Sequence, residues 1–363
     1  MPGSMNIRDL AEEDIILLVG SPRSGTTWLA KIIDSHPDVL YRHEPDKILR
    51  APLMRRNFRP EEWADNRDAA RAYARDLIQA NYLKAIRILP SFRKNYQSLC
   101  VYYTKFTCLM LLGALGRLDV AHRLERVQIP DMISAKPGHR IKLLIKSIAS
   151  HGRVGLMARA MPQIRIIYLI RDPFGHIASM RRGLELGKFE KRIPLEECLE
   201  TEYAAAYGLT RATFERLPMI EQITWHWALL NKKMIADIDG HPRAMTVSYD
   251  ALCADPAGQA RSVFSFAGLT WHERTATFVI ASTTANGRDE YYGIYKNTAE
   301  TLGKSRERLS QDEQSRIEGI IRETGMTDYC RPPPFDPAGA ATPPPSRESP
   351  SGEQSPPERR ALA

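Results

Sequence analysis

Cysteine is scarce in this 363-residue chain: Cys100, Cys108, Cys198, Cys253 and Cys330 contain no CxxC pair. Their odd number leaves any disulfide framework incomplete, and a reducing, cytoplasmic location is the expectation. The first residues, MPGSMNIRDLAEED, are polar and acidic and lack the basic and apolar regions of a secretory signal. No apolar run approaches the ~20 residues that span a bilayer. The most apolar stretch, residues 109–115, is flanked by Lys105 and Arg117 and is expected to be buried, with peripheral membrane contact as the alternative. His36, His43 and His151 are scattered, and neither HExxH nor a Cys/His zinc spacing occurs, so no metal is expected. The chain contains no internal repeat.

What is present points to a globular body with a polar tail. The hydrophobic fraction of 43% is that of a chain able to build a sizeable core. From residue 331 onward the tail holds ten of the 25 prolines and almost no large apolar side chains, too few to offset the entropy of ordering. Four basic and four acidic residues cancel there, so the net charge of +8 belongs to residues 1–330. A basic body suits polyanionic small ligands. Nucleic acid is not expected as a partner, and nothing in the sequence fixes an oligomeric state.

The densest signal runs over residues 15–44. The apolar run IILLV stops at Gly20, a loop Ser21-Pro22-Arg23-Ser24 follows, and Gly25-Thr26-Thr27 opens a helical pattern. A strand, a tight glycine turn and a helix N-terminus together make an anion cradle, because the first helical N–H groups and the dipole face the ligand. The GxxxxG spacing resembles Walker A, yet Thr26 stands where a nucleotide triphosphatase needs its Lys. The cation here is Arg23. A second unit, residues 164–171 (IRIIYLIR), ends in Arg171-Asp172-Pro173 and has Ser179 eight residues beyond Arg171. Arg171 then lies at the carboxyl edge of a sheet, where open α/β folds bind ligands, and Ser179 lies about two helical turns on.

These two units together resemble the sulfotransferases that use 3'-phosphoadenosine 5'-phosphosulfate (PAPS). The resemblance rests on Pro22-Arg23-Ser24-Gly25-Thr26-Thr27-Trp28 and on the Arg171/Ser179 spacing, and it extends over roughly residues 14–270. It implies a P-loop-like α/β three-layer sandwich with a central parallel sheet flanked by helices. It also implies a PAPS site in which Arg23, with the Ser24–Thr27 backbone, meets the leaving group, and Thr26 and Thr27 take the 5'-phosphate. Arg171 and Ser179 take the 3'-phosphate in that scheme, and Trp28 and Tyr249 border the adenine. The cytosolic branch of the family carries a His after a Lys-Thr pair; this chain has Lys146-Ser147-Ile148 there instead. Glu44, 21 residues after Arg23, matches the catalytic Glu of the protein-tyrosine branch and its bacterial relatives. Glu44 is therefore the expected base, His43 and His151 the reserves, and Lys146 a second stabiliser of charge. Lys296 is the expected lid cation, with Lys304 as runner-up.

The domain plan is an extension at 1–13, one sulfotransferase domain at 14–330 with a helical insertion at about 46–135, and a Pro-rich tail at 331–363. Apolar residues at 3.6 spacing mark helices within 60–125, among them ARAYARDLIQANYLKAI. Strands at 141–145, 164–170 and 244–247 alternate with helix-length segments, the pattern of a parallel sheet. A long helical region spans 195–238 with a break near Pro218; Trp225 and Trp227 are read as core. Asp255-Pro256 starts a capped helix. Tyr82, Tyr96, Tyr102, Tyr103 and Phe106 of the insertion would shape the acceptor pocket, with core packing as the alternative. The acceptor hydroxyl is left open among carbohydrate, lipid, small molecule and tyrosine. The competing functions are a P-loop kinase and a noncatalytic binder of nucleotides or sulfated ligands.

Overall fold

The computed structural model describes residues 7, 10–49, 54–86, 88–115, 126–133, 139–188, 193–284, 293–295 and 304–330. Lys296 and the tail at 331–363 lie outside these residues, and Lys304, the runner-up for the lid, opens the short helix Lys304–Glu307.

Five strands, β1 (Ile15–Val19), β2 (Val39–His43), β3 (Lys142–Ser147), β4 (Arg165–Ile170) and β5 (Ala244–Ser248), pair in the order β2-β3-β1-β4-β5. Every pairing is parallel. The central strands read as nearly continuous apolar runs because both of their faces are covered. Alternation along β1 divides the core: Ile15, Leu17 and Val19 face one helical layer, Ile16 and Leu18 the other. The Ile16/Leu18 layer is built around α1 (Thr26–Asp34) with Leu29, Ile32 and Ile33, and around Val263 and Phe264 of the helix Pro256–Ala267. The opposite layer rests on the helix Met219–Ile238, where Ile223, Trp227 and Met234 are buried as expected. Each fully buried Leu or Ile contributes about 1.5–3 kcal/mol of transfer free energy, so this two-sided core fixes the sheet firmly. The result is a three-layer α/β sandwich.

Topology places the site. The chain leaves β1 toward β2 on one side and leaves β4 toward β5 on the other, so a crevice opens at the carboxyl ends of these neighbours. Asp255 caps its helix by accepting from the Gly258 N–H at 2.9 Å.

Two helical expectations change. The run at 70–86 is not one helix: Arg67–Gln79 ends before Asn81, and Leu83–Ile86 follows. Leu83 N–H donates to Val127 O at 2.8 Å and Ile129 N–H donates to Asn81 O at 2.9 Å, so pairing with a distant segment breaks the helix. The 195–238 region breaks several times before Pro218, with Gly208 left-handed (φ 63°) after the turn at Ala204–Tyr207. In the helix Leu99–Leu115, Leu109 is buried, whereas Leu111 is 59% exposed, so burial covers only part of this apolar stretch. Among the described residues no helix is long and apolar enough to cross a membrane.

Candidate active site

A cavity of about 1200 Å³ opens at the carboxyl ends of β1, β3 and β4. It exceeds the ~300–1,000 Å³ usual for one small ligand, which leaves room for two. Arg23, Gly25, Thr26, Thr27, Trp28, Glu44, Lys146, Arg171 and Tyr249 all line it. Ser24 and Ser179 stand behind this surface.

The loop after β1 is held by backbone geometry. Arg23 (φ 73°) and Gly25 (φ 93°) are both left-handed, and Ser24 N–H donates to Ser21 O at 3.0 Å. Gly25 is needed twice over. A Cβ there would sit 2.4 Å from the Tyr249 ring, in a conformation that side chains resist. α1 then starts at Thr26 with its N-terminus toward the cavity, where the first N–H groups have no partner within the helix.

The loop after β4 meets the first one directly. Arg171 Nη1 donates to Arg23 O at 3.1 Å, and Arg23 Nε donates to Ser179 Oγ at 3.2 Å. Arg23 thus reaches the residue expected at the 3'-phosphate, and the two loops contact each other directly. The Arg171 guanidinium stacks 4.7 Å from the Tyr249 ring centroid. Trp28 meets Tyr249 edge-on at 6.1 Å, and its indole N–H donates to Ser282 Oγ at 3.1 Å. Asp172 caps the helix Pro173–Glu185 by accepting from Gly175 N–H at 2.8 Å. Burial lifts its carboxyl to about 6, and this capping role fits its position better than that of a metal-binding acid.

Glu44 comes from sheet register. His43 of β2 pairs with Lys146 of β3, and Glu44, the next residue, turns left-handed (φ 45°) while its N–H donates to Lys146 O at 2.8 Å. β3 runs past the expected 145 to Ser147, which carries Lys146 to the cavity edge. The Glu44 carboxylate forms an ion pair with buried Lys146 and a second one with Lys47 Nζ at 2.8 Å. Burial raises its pKa, but Lys146, His43 and Lys47 prevail and hold it at about 2. Burial followed by Lys146 depresses His43 to about 3, and its Nδ1 lies 2.7 Å from the Tyr41 hydroxyl. His151 is buried, does not line the cavity and is pushed down to about 4 by desolvation, which weakens it as a reserve base.

The wall beyond Glu44 differs from the expected one. Tyr82, Tyr96, Tyr102, Tyr103 and Phe106 do not line the cavity. Tyr96 is core and its hydroxyl donates to Val39 O at 3.3 Å, while Tyr102 stacks on Phe106 at 6.2 Å. The insertion contributes Met54, Arg55, Arg56 and Tyr73 in their place, along with Ile88 and Leu89. Sequence reasoning also missed His176, Glu197, His226 and Asp46. His176 was within reach of it, three residues before Ser179 on the same helix; the others carry no local signal. Among the described residues no group of three or more His, Cys, Asp or Glu side chains is placed to hold a metal.

Residues 15–273 match the Sulfotransferase family. The chain belongs to that family. This sulfotransferase is 20% identical over 326 residues to carbohydrate sulfotransferase 1 of Danio rerio, covering 82% of this chain and 73% of that one. It is similar to the crystal structure of sulfotransferase STF9 from Mycobacterium avium, with 13% identity, a TM-score of 0.42 and coverage of 88% and 78%. It is also similar to mouse sulfotransferase SULT7A1 complexed with PAP, with 12% identity, a TM-score of 0.40 and coverage of 86% and 85%.

Proposed function

We propose that this sulfotransferase moves a sulfuryl group from PAPS to an acceptor hydroxyl, with Glu44 as the base. The observation that carries the reading is one cavity in which Arg23, Arg171 and an α1 N-terminus face the Glu44–Lys146 pair. The residues suit a doubly phosphorylated nucleotide. Ser24 Oγ and Arg171 Nε are buried with no hydrogen-bond partner among the described residues, polar atoms that an anion would satisfy. The Tyr249 and Trp28 rings border the same space.

PAPS supplies a sulfuryl group joined to phosphate through an activated anhydride oxygen. In the proposed step the acceptor oxygen bonds to sulfur, the sulfur–oxygen bond to phosphate breaks, and the acceptor proton passes to Glu44. Arg23 and the α1 N–H groups neutralise the leaving phosphate, a type of stabilisation worth about 3–4 kcal/mol per well-placed donor. Lys146, freed from part of its pairing as Glu44 takes the proton, stands next to the transferred group. A carboxylate held at about 2 is a weak base. It suffices here because the acceptor hydroxyl becomes strongly acidic once its oxygen bonds sulfur, so proton transfer follows bond formation. We also propose a cytoplasmic location, which suits the exposed thiols of Cys100 and Cys108.

Isothermal titration with 3'-phosphoadenosine 5'-phosphate (PAP) and with ATP, both without magnesium, tests the donor assignment. Tight PAP binding with weak ATP binding is expected. A preference for ATP would reject the reading in favour of a kinase or hydrolase, and PAP binding with no PAPS turnover on a broad hydroxyl panel would make the chain a noncatalytic binder.

A further inference from the structure

We propose that the acceptor is an alcohol on an aliphatic skeleton with a second hydrogen-bonding group at its far end, and that Glu197 and His226 select for that group. The inference rests on the sulfuryl-transfer reading above and deepens it.

Beyond Glu44 the cavity wall is largely aliphatic, with Arg55, Arg56, Arg153 and Asp46 among its polar lining groups. His176, Met180 and Leu184, four residues apart, form one stripe of the helix Pro173–Glu185 and line the cavity together. Met54, Ile148 and Ile193 complete this wall. Tyr73 is the one aromatic ring on this side among the described lining residues, and it is already engaged. Arg153 lies 4.8 Å from its ring centroid and donates to its hydroxyl at 2.9 Å, and Ser150 Oγ lies 3.1 Å from that hydroxyl. No ring is therefore offered for a sugar face to stack on. Methylene and methyl groups instead favour an acceptor whose body is itself aliphatic.

Among the polar lining groups of this wall, Glu197 and His226 face each other. His226 is 6% exposed, lines the cavity, and its Nε2 has no hydrogen-bond partner among the described residues. Glu197 Oε2 lies 3.9 Å from that nitrogen, beyond hydrogen-bond length, and Arg56 pairs with the same carboxylate. A hydroxyl lodged against both would accept from His226 Nε2–H and donate to Glu197, bridging an ion pair that is longer than a good hydrogen bond.

The test begins with PAP titration, then compares kcat/KM at saturating PAPS for an alicyclic diol, the matching mono-alcohol, a monosaccharide and a tyrosine peptide. The diol should be the best acceptor and the mono-alcohol the second. In Glu197→Gln and His226→Asn, with folding checked by thermal melt, the diol-to-mono-alcohol ratio should fall about three- to tenfold, the effect of one hydrogen bond. Higher kcat/KM for the sugar or the peptide would overturn the proposal, as would a ratio unmoved in both folded variants. PAP binding without turnover of either aliphatic alcohol would also overturn it and leave the donor site standing. Failure to bind PAP would instead remove the donor reading on which it rests.

Discussion

At the proposed donor end of the cavity most side chains come from two strand-to-helix turns, residues 22–28 after β1 and residues 171–179 after β4, each contiguous in sequence. At the acceptor end they come from positions as far apart as Leu49, Ile148 and His226. The first end is cationic and backbone-rich: Arg23, Arg171 and a helix N-terminus are suited to a charged group, which takes few partners in a fixed loop. The second is aliphatic and assembled by packing of the helices Pro173–Glu185, Leu195–Leu199 and Met219–Ile238. A charged, shared ligand can be met by a local motif, whereas the shape of an acceptor is met by a surface that only the folded chain brings together. Glu44 and Lys146 sit at the boundary, Glu44 just past the end of β2 and Lys146 on the neighbouring strand β3.

The strongest way to break this division is at its boundary. Glu44→Gln removes the proposed base and should lower kcat about 10²–10⁴-fold while PAP affinity in titration stays near wild type. If turnover survived, the proton would have to leave by another route, with His43 next in line. Arg171→Ala should weaken PAP about 10–100-fold, from loss of charge-assisted hydrogen bonds worth ~1.5–3 kcal/mol. A ligand lacking the 3'-phosphate should lose much less, and equal losses for both would mean that Arg171 does not read that phosphate.

Gly25→Ala attacks the donor end through the backbone. A left-handed alanine costs ~1–2 kcal/mol, and its Cβ would press on the Tyr249 ring. The melting temperature should fall by several degrees, with PAP binding weakened as the loop shifts. The smallest expected signal is electrostatic. Glu44 is held at about 2, below the ordinary glutamate value of 4.5, so its stabilising contribution is complete above about pH 4.5 and is lost as pH falls toward 2. In urea unfolding, the stability gap between wild type and Glu44→Gln, about 1 kcal/mol, should be present at pH 6 and should close across that window. A gap that did not change with pH would mean that the Lys146 pairing does not set the Glu44 pKa.

Much of the fold and of the donor end was legible from one sequence, because the signals are local. Buried parallel strands announce themselves as apolar runs, Asp255-Pro256 as a cap, and Gly20 to Thr27 as an anion loop. What could not be read depends on partners distant in sequence. The helix expected through Ala80 breaks because Asn81 and Leu83 pair with residues 127 and 129. The aromatic residues of the insertion were expected at the acceptor and instead pack elsewhere, since periodicity marks which face is apolar but not what covers it. The hydrogen bond from the Arg23 guanidinium to Ser179 spans 156 residues and has no local signal.

The sequence by itself determined the strand-loop-helix units, the cation that replaces the Walker lysine, and the family, because each is written in short runs of adjacent residues. Only the tertiary structure decided that His43 lies in register with Lys146, and so that Glu44 is an ion-paired carboxylate held near 2. It alone brought Glu197 and His226 to a common wall. The reason is physical: backbone propensity and patterning act over a few residues, whereas register, burial and the field at a carboxylate are sums over neighbours that the chain acquires on folding.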